Sequence, residues 1–169
     1  MKKVFSIIIL STIFGLNIYA LGVGGGYSVD SGINVTMHFQ ETEKNGVGVG
    51  IGVSPTTSGG IGFAIFGDYY YDFNIVNTGN LIFGPELAID VGLGVAIGDG
   101  SFGMIAFASP AAGVKICFLN GKLDVFLRYQ PWFGYNGVAV NTSEDTNTVA
   151  TDISLFNPLG FALGVRYHF

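Results

Sequence analysis

The sequence predicts an all-β fold: a single up-and-down antiparallel β-barrel of eight strands that spans a membrane, preceded by a cleavable signal peptide. Large apolar residues alternate with small or polar residues along eight segments, which is the two-residue period of strands with unlike faces. The chain is 49% hydrophobic and only 11% charged, and it contains 27 glycines. A glycine-rich face with few charges suits the lumen of a membrane barrel better than a water-facing surface.

The composition excludes several other classes of protein. A disordered chain would be weakly hydrophobic and highly charged, and a disulfide scaffold would need more than the single cysteine present. Lys and Arg number 7 against 12 Asp and Glu, so no basic surface for nucleic acid is expected. No run of roughly 20 apolar residues follows the first twenty positions, which argues against helical membrane spans.

The first twenty residues have the layout of a secretory signal. A basic Met1-Lys2-Lys3 precedes the apolar stretch Val4–Leu16, and the small residue Ala20 marks a cleavage site. The alternative is a membrane anchor, for which the apolar stretch is short. We therefore expect residues 1–20 to be a signal peptide and residues 21–169 to form the outer-membrane β-barrel domain.

Eight predicted strands follow one another along the rest of the chain. In the fifth, for example, Ile89 and Val91 alternate with Ala88 and Asp90. The predicted strands are Leu21–Val29, Ile33–Gln40, Val47–Val53, Ile61–Ile75, Leu81–Ile97, Phe102–Phe118, Val125–Val140 and Leu159–Phe169. They are joined at 41–46, 77–80 and 119–122 on one side, and at 30–32, 54–60, 98–101 and 141–154 on the other. Only 141–154 is long, and an even number of strands places both chain ends on the same side.

Aromatic residues of the large apolar face gather near both ends of the predicted strands. On the side of the chain ends these are Phe39, Tyr71, Phe73, Phe83, Phe118, Tyr167 and Phe169. On the opposite side they are Tyr27, Phe63, Phe102 and Tyr135. Two such girdles are expected where a transmembrane barrel meets the two bilayer interfaces.

The last strand carries Leu163, Val165, Tyr167 and the terminal Phe169 at alternate positions. This pattern resembles the C-terminal signal that the outer-membrane assembly machinery reads. With the leader, the eight strands and the length, the chain is similar to the small barrels of the opacity-protein and outer-membrane-protein-A type. The resemblance implies a porin-like, monomeric protein in the outer membrane of a Gram-negative-type envelope, with the lipid bilayer and the assembly machinery as its partners.

Charged residues on the small-residue face are expected to meet inside the lumen. They are Asp68, Asp72, Glu86, Asp90, Lys115, Arg128 and Arg166. An eight-stranded barrel is only just wide enough to be filled by its own side chains. These charges therefore predict a network of internal ion pairs that plugs the lumen, and the alternative is a gated path for ions.

The other half of the lumen carries a different set of residues, mostly small or apolar. A pocket for a small apolar ligand is one interpretation, and plain filling of the barrel by large residues opposite small ones is the other. The candidate pocket residues are Phe66, Ile105, Phe107, Trp132 and Phe156.

No enzymatic site, metal or cofactor is expected. Nucleophilic catalysis would need a serine or threonine beside a histidine. The only histidines, His38 and His168, are expected to point inward, and no outward-facing serine lies beside them. His38 is interpreted as a hydrogen-bonding residue of the lumen. Three functions remain open: a non-enzymatic structural or surface role, a small pore or conduit for small solutes, and a surface-exposed binding protein that uses the 141–154 loop.

Overall fold

The computed structural model describes residues 20–55, 59–98, 101–143, 146–152 and 157–169. The predicted signal peptide, apart from Ala20, lies outside these residues. Eleven strands are present in the described ranges: β1 (Ala20–Ser28), β2 (Gly32–Gln40), β3 (Asn45–Pro55), β4 (Ile61–Asp72), β5 (Val76–Asn77), β6 (Ile82–Gly98), β7 (Ser101–Phe118), β8 (Leu123–Tyr129), β9 (Phe133–Ser143), β10 (Thr146–Asp152) and β11 (Phe161–His168).

The strands form one closed antiparallel barrel, as predicted. Sequential neighbours pair from β1 to β4, then β4 pairs with β6 and β6 with β7. β7 pairs with both β8 and β9, so these two segments act as one barrel strand that is interrupted around Gln130. β10 and β11 together form the eighth strand, and β11 closes the barrel by pairing with both β8 and β1. Among the described residues β5 pairs only with β6 and β10 only with β9, whereas every other strand pairs on both sides, as strands in a bilayer require.

The segment 141–154 differs from the predicted long loop. β9 continues to Ser143 and β10 begins at Thr146, and the two pair from Thr146↔Ser143 to Asp152↔Asn136. The hydroxyl and amide residues of this segment therefore extend a hairpin, which their polar composition did not indicate. Backbone pairing is independent of side-chain polarity, and Thr and Val both suit strands.

The two faces of the barrel differ in burial as the alternation predicted. Along β11 the exposure pattern alternates strictly from Phe161 to His168. Apolar side chains such as Ile33 (72% exposed) and Ile65 (70% exposed) point outward, while Glu86 and Arg166 are fully buried inside. This is the reverse of a water-soluble fold, in which ionised side chains face out.

We name the two ends of the barrel by what they carry. The terminal end holds Ala20, Phe169 and the joins 41–44, 73–81 and 119–122, and the distal end holds the turn near residue 30 and the last residues of β3, β6 and β9. At the terminal end Leu119, Asn120 and Gly121 all have positive φ, and the N–H of Gly121 donates to the carbonyl of Phe118 over 3.1 Å. The Asn-Gly pair supplies the residues that tolerate this conformation, as the sequence predicted.

Glycines on the inner face of β3 leave room for the side chains that fill the lumen. A Cβ at Gly48 would meet the carboxylate of Asp68 and the ring of His38, and a Cβ at Gly50 would meet the ring of Phe66. Large inward residues on β2 and β4 therefore depend on small ones on β3.

A pair of glycines on β7 makes this requirement testable. A Cβ at Gly113 would lie 2.7 Å from the Cα of Arg128 and 2.9 Å from the carbonyl carbon of Leu127, whereas a Cβ at Gly103 would meet nothing within 4 Å. Because backbone cannot give way easily, we expect Gly113→Ala to lower the free energy of unfolding by about 1–3 kcal/mol. Gly103→Ala is the control and should change it by less than about 0.5 kcal/mol. Urea unfolding in lipid vesicles measures both, and equal effects would contradict this account.

Candidate functional site in the barrel lumen

The structure brings the predicted inward charges together in what we call the lumen charge network. Its carboxylates lie on β4 and β6 and its cationic groups on β7, β8 and β11, so the two signs come from two adjoining groups of strands. All of its members are buried: Asp68, Asp72, Glu86, Asp90, Lys115, Arg128 and Arg166.

The carboxylates on β4 and β6 stand directly opposite one another. Asp68 pairs in register with Asp90, and Asp72 pairs with Glu86. Like charges at directly opposite positions of one face destabilise a strand pair. Cationic side chains from other strands of the barrel offset this repulsion by pairing with these residues.

Glu86 is the centre of this neutralisation. Its Oε1 accepts a hydrogen bond from the Nε of Arg128 at 2.5 Å, and its Oε2 accepts one from the Nη2 of Arg166. The Nζ of Lys115 donates to Asp72. These contacts join strands that are not hydrogen-bonded to each other, so they link separate parts of the barrel wall through the lumen.

Arg128 also serves the second pair of carboxylates. Its guanidinium lies 3.9 Å from Asp68 and 3.8 Å from Asp90. The guanidinium of Arg166 lies 4.0 Å from the centre of the Tyr70 ring and 4.6 Å from that of the Phe126 ring. The guanidinium of Arg128 lies 4.3 Å from the centre of the Phe126 ring. Cation–π contacts of this kind strengthen when they are desolvated. Aromatic rings and ion pairs are therefore in direct contact inside the lumen.

Two acidic residues of the lumen, Asp124 and Asp30, were not predicted from the sequence. Asp124 is buried, accepts from the Nε2 of His168 at 3.0 Å and lies 3.7 Å from Arg166. Asp30, placed in a turn by the sequence, accepts from Gln130 at 2.9 Å. Extending the alternation of β8 by one residue would have placed Asp124 on the same face as Arg128, whereas no sequence signal pointed to Asp30.

These additions change the charge balance of the lumen. Four acids and three bases were expected there, giving a slight negative excess. Within the described ranges the structure instead sets six carboxylates against three cationic side chains: Asp30, Asp68, Asp72, Glu86, Asp90 and Asp124 against Lys115, Arg128 and Arg166. With neutral histidines the lumen therefore favours cations over anions.

The apolar residues predicted for the other half of the lumen pack into one layer. Phe66, Phe107 and Trp132 are buried together with Ala64, and Ile105 lies against them. Phe156, the fifth predicted pocket residue, lies outside the described residues.

Beyond this layer, at the distal end, is a cavity of about 250 Å³. Of the predicted pocket residues, Ile105 and Trp132 line it. Its polar lining includes Asp30, Ser54 and Asn157.

His38 takes part in an arrangement that superficially resembles a catalytic one. Its Nε2 lies 2.6 Å from the hydroxyl of Thr36, and its Nδ1 lies 3.9 Å from Asp68. The cavity beside these residues has a volume of about 30 Å³. That is room for one or two water molecules beside these side chains. No cluster of potential metal ligands occurs among the described residues.

The predicted assembly-signal residues line the outer face of the last strand. The exposed fractions of their side chains are 54% for Leu163, 43% for Val165, 37% for Tyr167 and 69% for Phe169. The rings of Tyr167 and Phe169 pack edge to face at 5.3 Å. All four are therefore accessible from outside the barrel, where lipid or a protein could contact them.

Comparison with known proteins shows a likeness in structure only. No protein-family model matches the sequence, and no curated protein matches it. No helix long and apolar enough to cross a bilayer occurs in the described part of the chain.

Two solved structures are similar to this one. The N-terminal β-barrel domain of Pseudomonas aeruginosa OprF has 13% identity and a TM-score of 0.51, with 89% of this chain and 97% of that chain covered. A major outer membrane protein from Thermus thermophilus has 12% identity and a TM-score of 0.45, with coverage of 89% and 98%. The chain is thus a closed eight-stranded up-and-down β-barrel whose fold is similar to that of the OprF barrel domain.

Proposed function

We propose that the protein is an integral outer-membrane β-barrel with a non-enzymatic structural or surface role, and that its lumen is plugged. The observation that carries this proposal is the contact of Glu86 with both Arg128 and Arg166. These buried groups, with Tyr70 and Phe126 stacked against the guanidinium groups, fill the cross-section that ions would have to pass.

Conductance of the refolded chain, residues 21–169, in a planar bilayer tests the plug. We expect no discrete conductance steps from barrels whose folded state is shown by heat-modifiable migration on a gel. The physical reason is that a passing ion would have to displace buried ion pairs, because the side chains of the barrel fill its lumen. Reproducible steps from the folded barrel would overturn the plug and favour a pore.

A second candidate function is the binding or conduction of small solutes. The distal cavity of about 250 Å³ favours it, since a conduit needs space at the mouth of the barrel. The surface-binding alternative has less support, because most of 141–154 is paired strand.

The outer-membrane location is also part of the proposal. Exposed aromatic side chains near the terminal end, including Tyr71, Phe83 and Phe118, and at the distal end Tyr27 and Phe63, support it. The lipid bilayer and the outer-membrane assembly machinery are the proposed partners, and the protein is proposed to act as a monomer.

A substitution at the last residue tests the proposed assembly signal. We expect Phe169→Ala to reduce the amount of folded barrel in the outer membrane of producing cells severalfold, because the machinery loses its terminal aromatic contact. Phe161→Ala is the matched control on the same strand, since Phe161 is also exposed outward at 54%. Both variants should refold normally into lipid vesicles without the machinery. Equal cellular levels of the two variants would contradict the proposed signal.

A further inference from the structure

The distal cavity combines one carboxylate with an otherwise mostly apolar lining. Asp30 lies at its wall, and Ile105, Trp132 and Ala96 supply apolar surface. The apolar layer of Phe66 and Phe107 lies on the side toward the centre of the lumen. A solute that enters at the distal end therefore meets this cavity before the lumen charge network.

The carboxylate of Asp30 is held by neutral donors. The hydroxyl of Ser109 donates to its Oδ2 at 2.8 Å and the Nε2 of Gln130 at 2.9 Å, while the hydroxyl of Ser28 donates to Oδ1. Among the described residues no Lys, Arg or His side chain forms an ion pair with Asp30. The negative charge is thus fixed in position and lacks a cationic partner in that part of the chain.

The cations of the lumen charge network pair with other carboxylates. Lys115 donates to Asp72, and both Arg128 and Arg166 contact Glu86. Asp90 shares the amide of Gln130 with Asp30, but its carboxylate lies 3.8 Å from the guanidinium of Arg128. The charge of Asp30 is therefore the one that attracts a cation and repels an anion at the cavity.

Trp132 gives the cavity an aromatic wall. Its side chain is 8% exposed, and its Nε1 has no hydrogen-bond partner among the described residues. Indole is the best of the aromatic rings at holding a cation against its face. Its N–H can also donate to a polar atom of a ligand.

We propose that the distal cavity binds a small organic cation, a protonated amine with a compact apolar body. The ammonium group pairs with Asp30, and the apolar body packs against Trp132 and Ile105. This inference goes beyond the plugged barrel and does not depend on conductance, because the cavity lies outside the lumen charge network. A folded barrel that shows no conductance steps and binds no amine would refute the amine site and leave the proposed plug standing.

The single tryptophan of the chain provides the measurement. Fluorescence of Trp132 is followed in the refolded barrel as three probes of similar size are added: 2-phenylethylamine, 2-phenylethanol and 3-phenylpropanoate. We expect a saturable change with the amine at a concentration about tenfold lower than with the alcohol, and no saturable change with the carboxylate. Equal half-saturation for amine and alcohol would indicate a site for neutral apolar solutes and overturn the proposal. A linear response indicating only partition into detergent would overturn it too.

Asp30→Asn isolates the carboxylate. It should weaken amine binding about tenfold and leave alcohol binding unchanged. Glu41→Gln, an exposed carboxylate at the terminal end, is the control and should change neither. Unchanged amine binding by folded Asp30→Asn would overturn the proposal. If Asp30→Asn does not fold, the comparison of the three probes on the unmodified barrel decides by itself.

Discussion

Glu86→Ala is expected to lower the free energy of unfolding of the barrel by about 3–5 kcal/mol, the usual cost of breaking a buried ion pair by removing one partner. Glu86 is fully buried and accepts from Arg128 and Arg166. Without it Arg166, itself fully buried, keeps only the carboxylate of Asp124 at 3.7 Å as an ion-pair partner among the described residues. Urea-induced unfolding in lipid vesicles, followed by the fluorescence of Trp132, measures the change.

Two further variants separate charge from packing. Glu86→Gln keeps the side-chain volume and removes the charge. It should therefore lower the free energy of unfolding by most of the amount expected for Glu86→Ala. Glu41→Ala removes an exposed carboxylate that accepts from Asn45 in a turn, and it should cost less than about 0.5 kcal/mol. If Glu86→Gln were as stable as the unmodified barrel, the ion pairs would contribute nothing to holding the walls together.

Val91→Arg is expected to lower the free energy of unfolding in lipid by about 2–4 kcal/mol. Val91 lies near the middle of β6 and is 51% exposed on the outer face, where we place the hydrocarbon core. A guanidinium at that depth loses its hydration and finds no partner among the surrounding apolar side chains.

Depth and facing each have a control on the same strand. Ile97→Arg lies on the same face at the distal end of β6, where the cost should fall to about 0–1 kcal/mol because the charge reaches the interface. Ala88→Ser lies on the inner face and should be mild. Equal costs for Val91→Arg and Ile97→Arg would contradict the proposed membrane placement, and a large cost for Ala88→Ser would contradict the assigned facing.

Much of the fold was predictable because a strand's side-chain period is local. Alternation between large apolar and small or polar residues requires no knowledge of other segments. It assigned the facing of residues such as Ile89 and Asp90 correctly, and the number of segments with that pattern indicated eight barrel strands. The Asn120-Gly121 turn was equally local, since it depends on which residues tolerate positive φ.

Other features depended on pairing between distant segments. The hairpin of β9 and β10 was mistaken for a loop, because polar hydroxyl and amide residues extend a strand pair only when a partner is in register. Asp30 lies in a turn, as predicted, but nothing local shows that its carboxylate reaches Ser109 and Gln130.

By itself the sequence determined which residues face inward, and hence that Glu86, Arg128 and Arg166 share one enclosed space. Only the tertiary structure decided which charges meet, because register, strand tilt and closure set the distances between residues that are far apart in the chain. It also decided the charge balance, through Asp30 and Asp124, and the separation of an apolar layer and distal cavity from the ion pairs. Local periodicity specifies a face, whereas chemistry in the lumen depends on which faces closure brings together.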